Sequence, residues 1–222
     1  MEKKKTKKKS IVVKILEILV IVIAIIGVLF IVNFVRNYTI MKDIMEKQKS
    51  IKNSTNYTYT TVMYNTVNDD KVIINHYYKD GKSKMRYNNG ESDVTVWFDE
   101  RTKENIFLDE KDKQANITSS EFMLGNELPY FRDEANIIYY SMTSFIVNGN
   151  LDGKECYEMH DNNGVSYIDK ESGVLLKEVQ KNVKIDGKEC ESITEYSNWS
   201  FEDLSDEEMD KPDLTGYTIV NN

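Results

Sequence analysis

The segment from Lys71 to Asp99 reads KVIINHYYKDGKSKMRYNNGESDVTVWFD and contains two strong turn signals. Asp80-Gly81 and Asn89-Gly90 are dipeptides that two-residue hairpin loops favour, because both central positions of such a loop adopt a positive φ. Strands joined by loops this short pair as antiparallel neighbours. The segment therefore predicts three consecutive strands of one antiparallel sheet, at Lys71–Lys79, Lys82–Asn88 and Ser92–Asp99.

The same alternation extends to both sides of this segment. A run rich in Thr and Tyr begins at Thr55, and two further strands are predicted at Glu104–Asp109 and Lys113–Thr118. Later strands are predicted at Lys154–His160, Gly164–Asp169, Val174–Val183 and Lys188–Trp199. Residues 55–222 thus form a mainly β (α+β) domain of six strands, a helical insertion at about 119–145, about five more strands and an acidic tail.

The insertion carries a helical pattern. Pro129 suits the first turn of a helix, and four apolar residues follow at spacings of four, three and four. These residues are Phe131, Ala135, Ile138 and Met142. Because such spacings place side chains on one side of a helix, we expect this stripe to pack on the sheet.

The N-terminal part predicts a membrane anchor. Ile18 to Val35 contains no ionisable side chain and follows a block of lysines between positions 3 and 9. A transmembrane helix needs roughly 17–25 apolar residues, and residues 11–35 supply this length. The lysines on the short N-terminal side of this helix place the N-terminus in the cytoplasm. We predict a cytoplasmic tail over 1–10, a single-pass signal anchor over 11–35 and an extracytoplasmic domain.

The alternative is a cleaved signal peptide, which has a shorter apolar run and a small-residue cleavage site. No such site follows Val35, and no cysteine there offers a lipidation site, so a retained anchor is favoured. Residues 36–54 predict a separate juxtamembrane helix, since Ile40, Ile44 and Ile51 fall near one stripe.

Charge separates the anchor from the domain. The chain has a net charge of −8, of which the first 36 residues contribute +6, so the remainder carries −14. An acidic surface repels phosphate backbones, which makes nucleic acid an unsuitable partner.

The chain resembles the LolA/LolB-like lipoprotein-carrier superfamily. Tyr167 to Leu175 (YIDKESGVL) is similar to the strand–turn–strand that follows the lid helices there, and Tyr196–Phe201 with Pro212-Asp213-Leu214 is similar to the closing strand and tail. The resemblance covers about residues 38–220 and implies a large antiparallel half-barrel meander covered by helices. The retained helix and the missing lipidation signal distinguish a membrane-anchored, Gram-positive-type member that cannot shuttle between membranes.

The resemblance also implies an apolar groove that holds an acyl chain near the membrane. Its expected lining consists of alternating strand positions and the helical stripe: Met85, Tyr87, Val94, Val96, Phe98, Ile106, Leu108, Phe131, Ile138 and Met142. The same residues suit a filled core equally well, because any sheet covered by helices needs such side chains.

The sequence shows no pattern for catalysis or for a bound metal. His76 and His160 are its only histidines, and neither accompanies a nucleophile motif. Zinc-ligand spacings are absent, and the acidic run from Glu202 to Asp213 lacks the Asp/Asn-and-Gly loop that wraps calcium. We predict no enzyme activity, no metal and no cofactor, and we interpret the acidic run as a solvated tail.

The two cysteines are expected to remain apart. Cys156 and Cys190 each follow an Asp-Gly turn, and in a meander those two turns fall at opposite ends of the sheet. Two intervening strands add roughly 14 Å, whereas a disulfide requires Cα atoms within about 7 Å.

The sequence thus predicts an anchored extracytoplasmic protein that binds a lipid or a lipidated protein. The alternative is a partner-binding protein of the same fold without a lipid ligand, such as an envelope sensor or a sporulation or germination protein. A structural spacer is a third hypothesis.

Overall fold

The computed structural model describes residues 2–52, 56–67, 70–119, 134–185 and 187–220. The described residues form three helices, α1 (Glu2–Lys52), α2 (Glu134–Thr143) and α3 (Asp206–Met209). They form twelve strands: β1 (Asn56–Asn65), β2 (Val72–Lys79), β3 (Lys82–Asn88), β4 (Asp93–Asp99), β5 (Glu104–Asp109), β6 (Gln114–Ser119), β7 (Phe145–Leu151), β8 (Lys154–His160), β9 (Gly164–Asp169), β10 (Leu175–Ile185), β11 (Lys188–Ser200) and β12 (Thr218–Ile219).

All twelve strands belong to one large open sheet, in the order β12-β6-β5-β4-β3-β2-β1-β11-β10-β9-β8-β7. Two antiparallel meanders, β1–β6 and β7–β11, meet where β1 pairs with β11. Among the described strands, only β12 pairs in parallel, with β6. The predicted fold class, a long antiparallel meander with few helices and one long apolar N-terminal helix, is confirmed.

The strand predictions for the first meander agree closely with the structure, whereas two strands were missed. β7 occupies residues that the sequence assigns partly to the helical insertion, and β12 lies in the tail. The segment VNGN within β7 contains Asn and Gly, residue types that are depleted in strands, so the sequence gives only a weak strand signal there. Pro129 and Phe131 lie outside the described residues, and α2 begins at Glu134.

The predicted anchor segment and the predicted juxtamembrane helix are not separate helices but form one continuous helix, α1. No Gly or Pro occurs between Val35 and Lys52, so nothing in the sequence interrupts the backbone hydrogen bonds. α1 is long and apolar enough to cross a membrane, and the side chains of its most apolar window are not buried against the protein. Its last part has a buried stripe: Asn37, Met41, Ile44, Met45, Gln48 and Ile51.

α1 and α2 pack on one side of the sheet, which we call the helix face. The buried cluster there joins Met41 and Ile44 of α1 with Ile137 of α2 and with strand residues. The strand residues are Ile146, Met159, Ile168 and Leu175, from β7 to β10. This cluster is the core of the β7–β11 half of the domain.

The turn between β9 and β10 receives the end of α1. Gly173 has a φ of +76°, and a Cβ atom there would lie 2.8 Å from the Cβ of Lys47 and 3.4 Å from the carbonyl oxygen of Ile44. The Gln48 side chain donates a 3.0 Å hydrogen bond to the Gly173 carbonyl, and Lys47 Nζ donates one of 2.7 Å to the Lys170 carbonyl. Glycine is therefore required at this position both for its backbone conformation and for the close approach of the helix.

The C-terminal tail crosses the opposite side of β2–β6, which we call the tail face. Trp97 Nε1 donates a 3.0 Å hydrogen bond to the carbonyl of the buried Met209. Leu214 and Tyr217 pack on a cluster of Trp97, Ile106, Leu108 and Ala115. β12 then pairs with β6 at the edge of the sheet, so the tail closes over the first meander.

The acidic run is the first part of this tail. Lys79 Nζ lies 2.9 Å from Asp206 and 3.4 Å from Asp203, but both carboxylates are largely exposed. Exposed ion pairs contribute little to stability, so the apolar contacts of the tail are its main attachment.

Cys156 and Cys190 lie in β8 and β11, separated by β9 and β10. Both are buried free thiols. The strand order on which their predicted separation depends is confirmed.

Replacing Gly173 with Ala tests the docking of α1 on this turn. We expect the free energy of unfolding to fall by more than about 1 kcal/mol, because the new Cβ combines a positive φ with a clash against Lys47. Thermal melting of the full chain in detergent, followed by circular dichroism, measures the effect.

Gly153→Ala is the matched control. Gly153 also has a positive φ, of +88°, but a Cβ there meets nothing within 4 Å. An equal loss of stability in the two variants would contradict a specific requirement for helix approach at Gly173.

Candidate binding surface

The helix face of β1–β4 carries no Asp, Glu, Lys or Arg. Paired residues of adjacent strands share a face, so the register Tyr59–His76–Met85–Val96 defines the side-chain set on this side. We call the set the uncharged surface: Tyr57, Tyr59, Thr61, Met63, Val72, Ile74, His76, Tyr78, Ser83, Met85, Tyr87, Val94, Val96 and Phe98. The tail face of the same strands carries charged residues instead: Lys79, Lys82, Lys84, Arg86, Asp93 and Asp99.

A row of stacked aromatic side chains from β1, β2 and β11 lies at one side of the uncharged surface. The Tyr59 ring stacks on the His76 ring at 4.3 Å and on the Trp199 ring of β11 at 4.3 Å. The Tyr57 ring stacks on Tyr78 at 5.0 Å. Stacked rings of this kind pack tightly and present flat apolar faces, so the row gives the surface a rigid floor.

The titratable groups of this row are electrically neutral at neutral pH. Burial lowers the pKa of His76 to about 4, and its Nε2 lies 3.0 Å from the hydroxyl of Thr61. Burial raises the pKa of Tyr59 to about 12, and burial together with nearby Tyr59 raises the pKa of Tyr57. The surface therefore has neither a carboxylate nor a cation with which to bind a charged ligand.

Five of the predicted groove residues lie together on this surface. They are Met85, Tyr87, Val94, Val96 and Phe98. Phe98 is 1% exposed, whereas the other four are half-buried. The helix-face cluster formed by α1 and α2 lies over the other half of the sheet, from β7 to β10.

The prediction that Ile106 and Leu108 line the same groove is wrong. Ile106 pairs with Trp97 and Leu108 with Thr95, which places both on the tail face. They are buried beneath the C-terminal tail. The prediction assigned the wrong alternate residues of β5 to this face. Phe107 pairs with Val96 and therefore lies on the uncharged side, so its neighbours Ile106 and Leu108 lie on the other side.

The predicted orientation of α2 is also wrong by one position. Ile137 and Ser141 are buried, whereas Ile138 and Met142 are exposed, at 43% and 53%. Asn37 of α1 explains this orientation, since its side chain donates to the carbonyls of Ser144 at 2.9 Å and Ser141 at 3.4 Å. α2 therefore turns its Ile137 side toward α1.

Sequence reasoning missed the residues of β1 and β2 on this surface. Tyr57, Tyr59, Ile74, His76 and Tyr78 alternate with a period of two, the same signal that identified the β3 and β4 positions. The pairing of β1 with β11, which brings Trp199 to Tyr59, has no local signal because the two strands lie far apart in sequence.

A separate open cavity of about 1130 Å³ lies at the end of the sheet where α1 ends. Residues of the β7–β8 turn, the β9–β10 turn and the end of β11 line it, including Lys154, Glu155, Lys170, Glu171 and Trp199. Its lining is of mixed charge and differs in this respect from the uncharged surface. Within the described part of the chain, His, Cys, Asp and Glu side chains form no group of three suited to a metal ion.

Comparisons with known proteins agree with this architecture. No protein-family model and no curated protein matches the sequence. Among solved structures, the chain is similar to an uncharacterized conserved protein from Thermus thermophilus, at 11% identity and a TM-score of 0.54 over 82% of this chain and 98% of that one.

Two other similar structures have lower TM-scores. A LolA superfamily protein from Nitrosomonas europaea matches at 12% identity and a TM-score of 0.34, over 77% of this chain and 97% of that one. A MucA/MucB complex from Pseudomonas aeruginosa matches at 10% identity and a TM-score of 0.41, over 80% of this chain and 62% of that one. Likeness at these identities concerns the fold alone, and of these three structures the Thermus thermophilus protein has a TM-score above 0.5.

The half-buried His76 predicts a pH dependence of stability. Its pKa is lowered from 6.5 to about 4, so between these values the unfolded chain binds a proton that the folded protein does not. The free energy of unfolding therefore falls as the pH falls through this window, by up to about 3 kcal/mol at pH 4. Urea unfolding of the full chain in detergent at several pH values measures the slope.

His76→Gln is the comparison for this measurement, because Gln keeps a hydrogen-bonding group but does not titrate. We expect a shallower dependence on pH between 4 and 6.5 in the variant. Superimposable pH profiles for the two proteins would show that His76 titrates normally in the fold.

Proposed function

We propose that this chain is a membrane-anchored, extracytoplasmic binding protein that holds an acyl chain of a lipid or lipoprotein against the uncharged surface. The observation that supports this most directly is the charge-free helix face of β1–β4 in a strongly charged, acidic domain. Burying an unpaired charge beside an acyl chain costs several kcal/mol, so a surface for such a ligand must exclude charges. Binding, not catalysis, is the proposed activity.

The position of α1 supports a membrane source for the ligand. Most side chains from Val13 to Val35 are apolar and exposed, and the first buried domain residue, Asn37, follows two positions later. A domain attached this closely works at the bilayer surface, where acyl chains are available. We place the N-terminal lysines in the cytoplasm and the sheet outside.

A second candidate function is recognition of a protein partner in the envelope. The cavity beside the β7–β8 and β9–β10 turns favours it, because its lining mixes Lys154, Glu155, Lys170 and Glu171 with the ring of Trp199. Mixed charges around an aromatic side chain suit a peptide better than an acyl chain. This candidate therefore depends on the charged residues of the two turns, and it shares the Trp199 ring with the aromatic row of the uncharged surface.

Photo-crosslinking tests the proposed lipid site on the full chain in its own membrane. Cells expressing the protein are fed a fatty acid with a diazirine near its end, irradiated, and the protein is digested with trypsin. We expect adducts on the peptide from Tyr87 to Arg101, at Val94 or Val96, and not at Thr95 or Trp97 on the other face. Fragment mass spectra assign the residue.

Two variants sharpen this experiment. Val96→Glu places a carboxylate on the uncharged surface and should lower the yield of adducts at least several-fold, whereas Arg86→Glu places one on the tail face and should leave the yield unchanged. The control is read on the longer peptide Met85–Arg101, because the variant removes the tryptic site at residue 86. Adducts confined to α1, with none on the strands, would refute the binding proposal while supporting the anchor.

Protease treatment tests the proposed topology. Protease added to spheroplasts should digest the domain while the segment from Ile11 to Val35 stays in the membrane, because the domain lies outside. A domain protected until the membrane is permeabilised would reverse the orientation.

A further inference from the structure

The junction between α1 and the domain leaves almost no distance between the apolar span and the sheet. The Arg36 guanidinium donates a hydrogen bond to the Ile146 carbonyl, and the next residue, Asn37, binds the carbonyls at the end of α2. Since a helix rises 1.5 Å per residue, the last turn of α2 and the start of β7 lie within about one helical turn, roughly 5 Å, of the end of the span.

The direction of α2 follows from its contacts with α1. Ser141 Oγ lies 3.5 Å from the sulfur of Met41, and Ser144 lies beside Asn37. α2 is therefore antiparallel to α1, and its C-terminal end points back toward the span.

This end of the domain carries a group of exposed apolar side chains, which we call the junction patch. Its members are Ile138, Tyr139, Met142 and Phe145, at 43%, 59%, 53% and 58% exposed. The four residues fall within eight positions of the sequence, three on the outer side of α2 and Phe145 on the face of β7 away from α2, since Ile146 beside it lies in the helix-face cluster. Two of them, Ile138 and Met142, are residues that the sequence placed, incorrectly, against the sheet.

The composition and position of the patch point to lipid as its occupant. Tyr and Trp are enriched where a protein crosses the boundary between headgroups and acyl chains, and the neighbouring pair Phe34 and Tyr38, with rings 6.0 Å apart, lies at the same level of α1. The exposed Arg36 adds a cation at the height of the phosphates. Four side chains offer at most a few hundred Å², whereas a stable protein interface needs about 800 Å² from each partner.

We infer that the junction patch enters the headgroup–acyl boundary of the bilayer that α1 spans, as a second membrane contact beside the helix. The inference rests on the proposed membrane anchor. Met142 and Phe145 enter most deeply, Tyr139 lies among the headgroups, and Ile138, about one helical turn before Met142, lies above them. The domain is thereby held against the membrane at one orientation, with the sheet end opposite the patch turned away.

Spin-label depth measurements on the full chain test the inference. Single substitutions Met142→Cys, Phe145→Cys and Ile138→Cys are labelled and reconstituted into vesicles of phosphatidylethanolamine and phosphatidylglycerol. Phe201→Cys is the matched control, because Phe201 is also exposed and apolar but lies at the opposite end of the sheet. The buried Cys156 and Cys190 define the labelling background in the unsubstituted protein.

We expect the ratio of oxygen to nickel-chelate accessibility to be higher at 142 and 145 than at 138, and higher at 138 than at 201. Equal ratios at 142, 145 and 201 would overturn the inference, as would labels at 142 and 145 shielded from both reagents, which indicates a protein contact. Ile25→Cys within the span separates the two proposals. A lipid-exposed label at 25 with aqueous labels at 142 and 145 overturns only the junction contact, whereas an aqueous label at 25 overturns the anchor and this inference together.

Discussion

The unbroken helix α1 is the constraint on which the rest of the structure depends. The helix has two parts with different surroundings. Up to Val35 its side chains are apolar and mostly exposed, whereas from Asn37 onward one stripe of side chains is buried in the domain core. Since an α-helix is stiff over this length, the core packing of Met41 and Ile44 also fixes where the sheet lies relative to the span. The β9–β10 turn approaches α1 so closely at Gly173 that no side chain fits between the turn and the helix.

The two faces of the first meander have different physical roles. On the tail face, the apolar contacts of Trp97, Leu214 and Tyr217 attach the tail to the sheet. The charged residues of this face form exposed ion pairs such as Lys79 with Asp206, which contribute little to stability. The helix face of β1–β4 carries no such charges, and Tyr59 and His76 on it are held neutral by burial. A single sheet thus keeps a covered, charged surface and an uncharged surface on opposite sides of the same strands.

Much of this could be predicted from the sequence, and the failures have physical causes. Turn dipeptides such as Asp80-Gly81 fix local strand pairing, so β2–β4 and the five residues from Met85 to Phe98 were predicted correctly as one face. Ile106 and Leu108 were misplaced because a run with apolar residues at three consecutive positions, Ile106 to Leu108, does not reveal its own register. The orientation of α2 depends on Asn37, about a hundred residues away, and no local periodicity contains that contact.

The proposed function requires the domain to exchange its ligand while it stays attached to α1. The apolar segment and the domain core share α1, so separating the domain from that segment would remove the packing of Met41, Ile44 and Gln48. Because Tyr59 and His76 are neutral, selection on the uncharged surface depends on shape and on burial of apolar area, not on charge. Such selection distinguishes acyl chains poorly by headgroup. Discrimination between a free lipid and a lipidated protein would then come from charged regions of the domain such as the cavity lined by Lys170 and Glu171.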